Sequence, residues 1–371
     1  MNLGKRSVTD LPKLICELSE KDRSLVNSIF DVRECQGTLI YPEDPVVING
    51  YGPRELVEKQ KIVKITNKIT CESSLFNELR SRRPFQTMEK MDTENEIKRT
   101  DGCIFCRPKA YSVTSTDSFL ESGRIETNTC FTASNPGKYD GYHGLVIFNN
   151  HNPYSFENFK DYLNCSINWA KKAQRKDRDA IYFFFMWNCL WKAGGSMIHG
   201  HTQMSLGKGM HYGKIEYLLK AANGYSRGMR NYFNDLYDAH ELLGLGFKYN
   251  DVKLMAYLTP IKEKEVVMIS KTIDDLNDIV PEVLACFYSR LGARSFNLAL
   301  ICPPSAIFDE IDYREKERWN GFPIMIRMLD RGDLNNRTTD FGAMELYAAS
   351  VISSDPYIVA GELKTCMKSI K

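Results

Sequence analysis

The run AIYFFFMWNCLWKAGGSMIHGHTQMSLG, residues 180–207, contains two strand-like segments joined by a glycine turn. Ala180–Trp187 is apolar and aromatic and reads as a buried strand, and HTQMSLG, from His201, supplies a second. On an extended chain, residues two apart share a face, so His199 and His201 look into one cleft. Gly194 and Gly195 let the backbone approach an anion closely and Ser196 adds a hydroxyl donor, which together imply a phosphate pocket. The bland reading of such an H-x-H segment is a strand with two surface histidines. Asn188, the Gly194-Gly195-Ser196 turn and Gln203 at their offsets weigh against it.

Working outward, Arg124–Asn135 and His143–Asn149 read as strands around the turn-forming PGKYDGY. Phe156, Phe159, Leu163, Ile167 and Ala170 recur at three- and four-residue steps after Ser155, a candidate N-cap, and predict an amphipathic helix. The second half of the chain repeats the order: strands LMAYLTP and EVVMIS, a helix from about Asp274 to Leu291, then strands FNLALICP and FPIMIRML. An α+β protein follows, built by internal duplication, with two halves that each carry an antiparallel sheet and a long packed helix. Two unrelated domains are the alternative. The expected organisation is an N-terminal extension over 1–80, a half carrying the site over 81–225, and a degenerate repeat over 226–371. Residues 87–102 are polar without apolar periodicity and read as a surface connection.

The chain has 371 residues, enough for a large duplicated fold, and 43% hydrophobic with 26% charged residues excludes disordered and fibrous classes. A net charge of +2 removes the whole-protein electrostatic argument for nucleic acid or membrane surfaces. The longest apolar run, Ala180 to Trp191, falls far short of the ~20 residues of a membrane span. The amino terminus shows no secretory pattern, so a cytoplasmic protein is expected. Eleven cysteines are scattered except for the pair Cys103 and Cys106. A C-x-x-C pair chelates one cation and needs two more ligands for a closed tetrahedral site. Histidines can finish the set, and all six lie between His143 and His240, with His151 after a strand and His199 beside the cleft. A redox dithiol and two plain cytosolic cysteines are the competing readings. Arg80, Arg82 and Arg83 form a cluster suited to bidentate phosphate contacts or, more blandly, a solvated charge run.

These pieces, in this order, resemble galactose-1-phosphate uridylyltransferase, the transferase branch of the histidine-triad superfamily. Arg80, Arg83, Pro84, Phe85 and Gln86 are similar to the family's R-x-x-R-P-W-Q, with Phe for Trp. C-x-x-C follows, then His151 after a strand, then N-x5-G-x-S-x2-H-x-H-x-Q from Asn188 to Gln203. The match runs from about residue 60 to 210, with a weak continuation through FGAMELYAA around Glu345. Two departures stand out: Gly200 replaces the family's Pro between the histidines, and no His follows His240, so a second metal site of some members is not expected.

The resemblance implies a histidine-triad-like fold and His201 as a nucleophile that attacks the α-phosphorus of a nucleotide sugar, forming a nucleotidyl-histidine and releasing sugar 1-phosphate. A second sugar 1-phosphate then takes the nucleotide, with UMP and a UDP-hexose as the first choice. A hydrogen bond from the other ring nitrogen to a backbone carbonyl should set the attacking tautomer. Gln203 can donate to a phosphate oxygen but supplies no proton, which suits a phosphate leaving group. Ser196, Asn188, Gly194, Gly195, Arg80 and Arg83 are expected on the phosphates, the arginines from a partner subunit in a homodimer. Asn135 and Glu345 are expected on the substrate. Cys103, Cys106, His151 and His199 would hold one structural zinc per chain. The alternatives are a nucleoside-diphosphate-sugar or dinucleotide phosphorylase, and a non-catalytic, zinc-stabilised nucleotide-binding protein. No nucleic-acid or membrane partner is expected.

Overall fold

The computed structural model describes residues 6–44, 49–82, 92–226, 228, 230–336 and 341–368. Three early strands, β1 (Phe30–Thr38), β2 (Lys59–Asn67) and β3 (Ser73–Phe76), form a small sheet. The first half then contributes β4 (Cys130–Ser134), β5 (Tyr142–Phe148), β6 (Ala180–Cys189) and β7 (His201–Lys208). The second half contributes β8 (Gly246–Tyr249), β9 (Val252–Ala256), β10 (Val266–Ser270), β11 (Phe296–Ile301) and β12 (Ile324–Asp330). Finally β13 (Ser350–Ile352) returns to pair in parallel with β3, so the small sheet takes its last strand from far along the chain.

The large sheet runs β4-β5-β7-β6-β11-β12-β10-β9-β8. Leaving β8 aside, its order reads the same from either edge: hairpin, last strand, then the strand that follows the long helix. This is the signature of the expected duplication, but the two four-stranded units are fused. β6 and β11 pair antiparallel across the middle, Phe296 opposite Cys189 and Asn297 opposite Asn188. Each half thereby covers the other's exposed edge.

One face of the sheet is dry. Alternation along β6 turns Phe183, Phe185, Trp187 and Cys189 into the main core, where Val146, Phe148, Met204 and Leu206 join them. The helix Phe159–Lys176 packs across β4–β7 with Tyr162, Leu163, Trp169 and Ala170 buried, and the helix Asp274–Ser289 lies beside it. The opposite face carries Phe131, Ala133, Leu145 and Ile147, a small separate apolar cluster, next to His201 and Gln203. Tertiary packing therefore leaves one face of the first half for chemistry.

Three local expectations need correction. The strand foreseen over Arg124–Asn135 is regular only from Cys130, because the buried Arg124 guanidinium donates to the carbonyls of Thr114 and Thr132 and the chain reverses where Thr127 N–H meets Cys130 O. Ser155 does not cap the helix with its side chain; its hydroxyl donates to Asn152 O, and a 3-10 turn Phe156–Asn158 leads in. Within the polar connection, Thr93–Arg99 is a helix, capped by Asp92 and tied by the Glu96–Arg99 pair without burying any residue. Among the described residues no helix is long and apolar enough to cross a membrane.

His240 is fully buried where the helix Tyr232–Leu242 meets Phe30 and Tyr257. Its Nδ1–H donates to Leu236 O at 2.7 Å and its Nε2 accepts from Leu258 N–H at 3.1 Å, which holds the ring neutral. Burial lowers its pKa to about 4. The folded value lies below the unfolded one, so stability is fully present above about 6.5 and is lost as pH falls toward 4. Between pH 7 and pH 5 this group alone is expected to remove on the order of 2 kcal/mol. Urea midpoints across that range should show the drop, and His240→Gln should shrink it, the remainder coming from other buried histidines such as His211, whose pKa burial also lowers; an unchanged slope would contradict the assignment.

Candidate functional site: a histidine cleft beside a four-ligand cluster

Antiparallel register builds the site. Ile147 lies opposite His201 and Leu145 opposite Gln203, and β6 closes the other side with Met186 opposite Gln203. Between β6 and His201 runs a strained loop. Leu190 has φ 66° and ψ 176°, and Gly194 has φ 86°. A Cβ on Gly195 would meet Asn188 O at 2.7 Å and Leu190 O at 3.0 Å, so only glycine passes there. Ser196 is exposed on the same loop.

Cys103, Cys106, His151 and His199 converge. The sulfur atoms are 3.9 Å apart, the two Nδ1 atoms 3.0 Å, and the four sulfur–nitrogen distances run from 3.3 to 3.9 Å. A tetrahedral ion with metal–sulfur bonds near 2.3 Å and metal–nitrogen bonds near 2.0 Å requires edges of about 3.8 Å between sulfurs, about 3.3 Å between nitrogens and about 3.5 Å from sulfur to nitrogen. The donor set therefore fits a metal ion. Outer contacts orient it as such sites demand: His199 Nε2–H donates to Phe148 O at 2.8 Å, and His151 Nε2 meets Thr100 Oγ1 at 3.1 Å. Burial pushes the Cys106 thiol up to about 11, a penalty that a bound cation removes.

His201 follows directly. Its Nδ1–H donates to the carbonyl of His199 at 2.9 Å, which is the backbone partner expected for it and leaves Nε2 with the lone pair. The ring is 6% exposed, and burial lowers its pKa, keeping the imidazole neutral. The edge of Phe105, from the turn between the two cysteines, packs on both His199 and His201 with centroids 5.9 and 5.6 Å apart. The turn that carries the two cysteines thus also walls the cleft.

Gly200 explains its departure from the family pattern. A Cβ there would sit 2.2 Å from Phe148 Cδ2 and 2.8 Å from Asn152 O. Phe148 cannot retreat, being stacked on Tyr162 at 3.7 Å and edge-on to Trp187. Gly200 N–H also donates to His151 O, a bond that proline would lose. Gly200→Ala is expected to lower stability by about 1–3 kcal/mol and Gly200→Pro by more; chemical unfolding at neutral pH that finds either variant as stable as the parent would refute the fit.

The remaining expected residues divide. Asn188 and Gln203 lie on the cleft face, half-buried and buried respectively. Asn135 sits beside them, but its Oδ1 accepts from Gly137 N–H and its Nδ2 is 3.4 Å from His143. Arg80 is exposed on the 3-10 turn Glu78–Arg82 after β3, and Arg83, Pro84, Phe85 and Gln86 lie outside the described residues. Glu345 lies on the short helix Ala343–Tyr347, where it accepts from Gly342 N–H and pairs with Lys262 at 3.6 Å. Sequence reasoning missed His143, Phe105 and Asn297. Period-two alternation along β5 places His143, Leu145 and Ile147 on one face and would have found the first.

The fold defines a class: the chain shares the fold of solved GalT-like and uridylyltransferase structures. It is similar to an ADP-glucose phosphorylase from Arabidopsis thaliana solved with bound ADP-glucose, at 13% identity and TM-score 0.57 over 80% of this chain and 96% of that one. A GalT-like protein from Arabidopsis thaliana gives 14% identity and TM-score 0.56 over 81% and 97%. A uridylyltransferase gives 12% identity and TM-score 0.53 over 84% and 99%. No family model matches the sequence, and no curated protein matches it.

Proposed function

We propose that the protein is a nucleotidyltransferase that moves a nucleoside monophosphate, UMP first among the candidates, between sugar 1-phosphates through a nucleotidyl-His201 intermediate. The observation that carries this is the tautomer of His201. With Nδ1–H committed to His199 O, Nε2 is a buried, neutral nucleophile that needs no separate base. Nε2 attacks the α-phosphorus and the bond to the bridging oxygen breaks. The sugar 1-phosphate departs as a phosphate, which needs no proton from the protein. The phosphate oxygen of the second sugar 1-phosphate then attacks the same phosphorus and frees His201. Gln203 and Asn188 donate to the non-bridging oxygens and the exposed Ser196 hydroxyl lines the approach, while the N–H groups of Gly194 and Gly195 donate to Trp191 O and Leu190 O and so shape the loop rather than bind phosphate.

Cys103, Cys106, His151 and His199 would hold one zinc per chain, whose contribution is to lock the turn 103–106 to β7. Four protein donors complete its shell. Arg80 and Arg83 are proposed to reach phosphate from a partner subunit in a homodimer, and the protein to act in the cytoplasm.

A second reading is favoured by the likeness to ADP-glucose phosphorylase: inorganic phosphate as the acceptor, with the same His201 and Gln203. Incubation with a panel of labelled nucleotide sugars, followed by denaturing electrophoresis, tests both. Acid-labile label on the protein but not on His201→Ala supports the covalent route. Release of that label by galactose 1-phosphate rather than by inorganic phosphate separates transferase from phosphorylase. No label from any donor would favour a binding protein.

A further inference from the structure

Two carboxamides line the cleft, and which end of each faces a ligand decides whether the pocket favours an anion. An amide's two ends are indistinguishable by shape and must be assigned from partners. Here the partners leave one solution. Tyr139 N–H donates to His143 Nδ1 at 3.0 Å; a backbone N–H can only donate, so Nδ1 carries no proton and Nε2 does. His143 Nε2–H then meets Gln203 at 3.0 Å, and the atom that accepts is Oε1. The second amide resolves the same way. Arg331 can only donate, and its Nη1 lies 2.8 Å from Asn297 Oδ1. Asn297 Nδ2 donates to Ala193 O at 2.8 Å and to Asn188 at 2.7 Å, where the acceptor is Oδ1.

We infer that His143, and Asn297 held by Arg331, are positioning residues that occupy the oxygen ends of Gln203 and Asn188, so that both amides present NH2 and the phosphate floor carries donors only. This rests on the nucleotidyl-transfer reading for its use, while the geometry stands apart from it. Each carboxamide alone would offer its oxygen to an anion as readily as its nitrogen, and a wrongly turned amide repels the charge it should stabilise. The arrangement also assigns work to the second half of the chain. β11 and β12 contain no histidine, but Asn297, held by Arg331 just after β12, reaches across the β6/β11 seam and pins both Asn188 and the loop carbonyl of Ala193. His143 is fully buried, stacked under Tyr139 at 4.2 Å, with Asn135 Nδ2 3.4 Å from its Nε2. Lys138 Nζ donates to its carbonyl and to Ser134 Oγ. Burial lowers its pKa, in keeping with a neutral ring.

Two experiments on the full chain test this. Long-range 1H–15N spectra of protein labelled with 15N-histidine, with His143 assigned through its loss in His143→Gln, should show the Nε2–H tautomer of a neutral ring at pH 7. An Nδ1–H tautomer or an imidazolium there overturns the inference. Second, His143→Phe should slow single-turnover labelling of His201 roughly tenfold to a hundredfold, yet change it less than about twofold when introduced into Gln203→Ala. Asn297→Ala against Asn188→Ala forms a parallel cycle that survives if His143→Phe fails to fold. Equal slowing in both backgrounds would mean a merely structural role and overturn the inference. Should the wild type accept no donor at all, the functional reading fails instead, and the same cycles are read on calorimetric binding of uridine and adenosine 5′-monophosphate.

Discussion

His201→Gly is expected to reduce transfer by at least about a thousandfold, because it deletes the attacking atom while the rest of the pocket persists. The fold should survive. The ring makes one backbone hydrogen bond, to His199 O, and edge contacts to Phe105, and it lies on the face of the sheet away from the main core. Mass spectrometry of protein mixed with a productive donor should find a nucleotide adduct on the parent and none on the variant, with melting temperatures within a few degrees. A variant that kept more than about a hundredth of the parental rate would place the covalent step elsewhere or abolish it.

Cys103→Ser should fail differently. Removing a sulfur from the four-donor cluster would weaken the metal proposed to join the turn 103–106 to His151 after β5 and His199 before β7. We expect a fall in melting temperature of roughly 5–10 °C, together with loss of transfer, because His201 hangs by its Nδ1 from the carbonyl of the ligand His199. Metal analysis should return about one zinc per chain for the parent and much less for the variant. Equal melting points for Cys103→Ser and His201→Gly would contradict a structural role for the cluster, and two tightly held metals per chain would undermine the ligand assignment.

Much of the cluster and cleft could be read from the chain because their residues sit in short motifs whose spacing survives any packing. Cys103 and Cys106 share one turn, and His199 and His201 enter β7 two residues apart. The meeting of these motifs needs the β5/β7 register, which alternating apolar residues on both strands specify. The fusion of the halves was not legible. β6 and β11 both read as buried strands, and nothing local says that each is the other's neighbour. For the same reason Asn297, an isolated asparagine in an apolar strand, gave no signal until the pairing put it opposite Asn188. His143 lies on a strand whose alternation is legible, but a single histidine with no flanking glycine–serine turn carries no chemical signal of its own. The helix Thr93–Arg99 escaped because it is held by its cap and an ion pair rather than by an apolar stripe.

The palindromic strand order carries one more consequence. A duplicated unit stripped of its own reactive groups has become a splint: it stiffens the surviving copy along their common border. Damage on the β11 side of that border should therefore abolish the proposed transfer while leaving the cleft side chains of the first half unaltered in sequence.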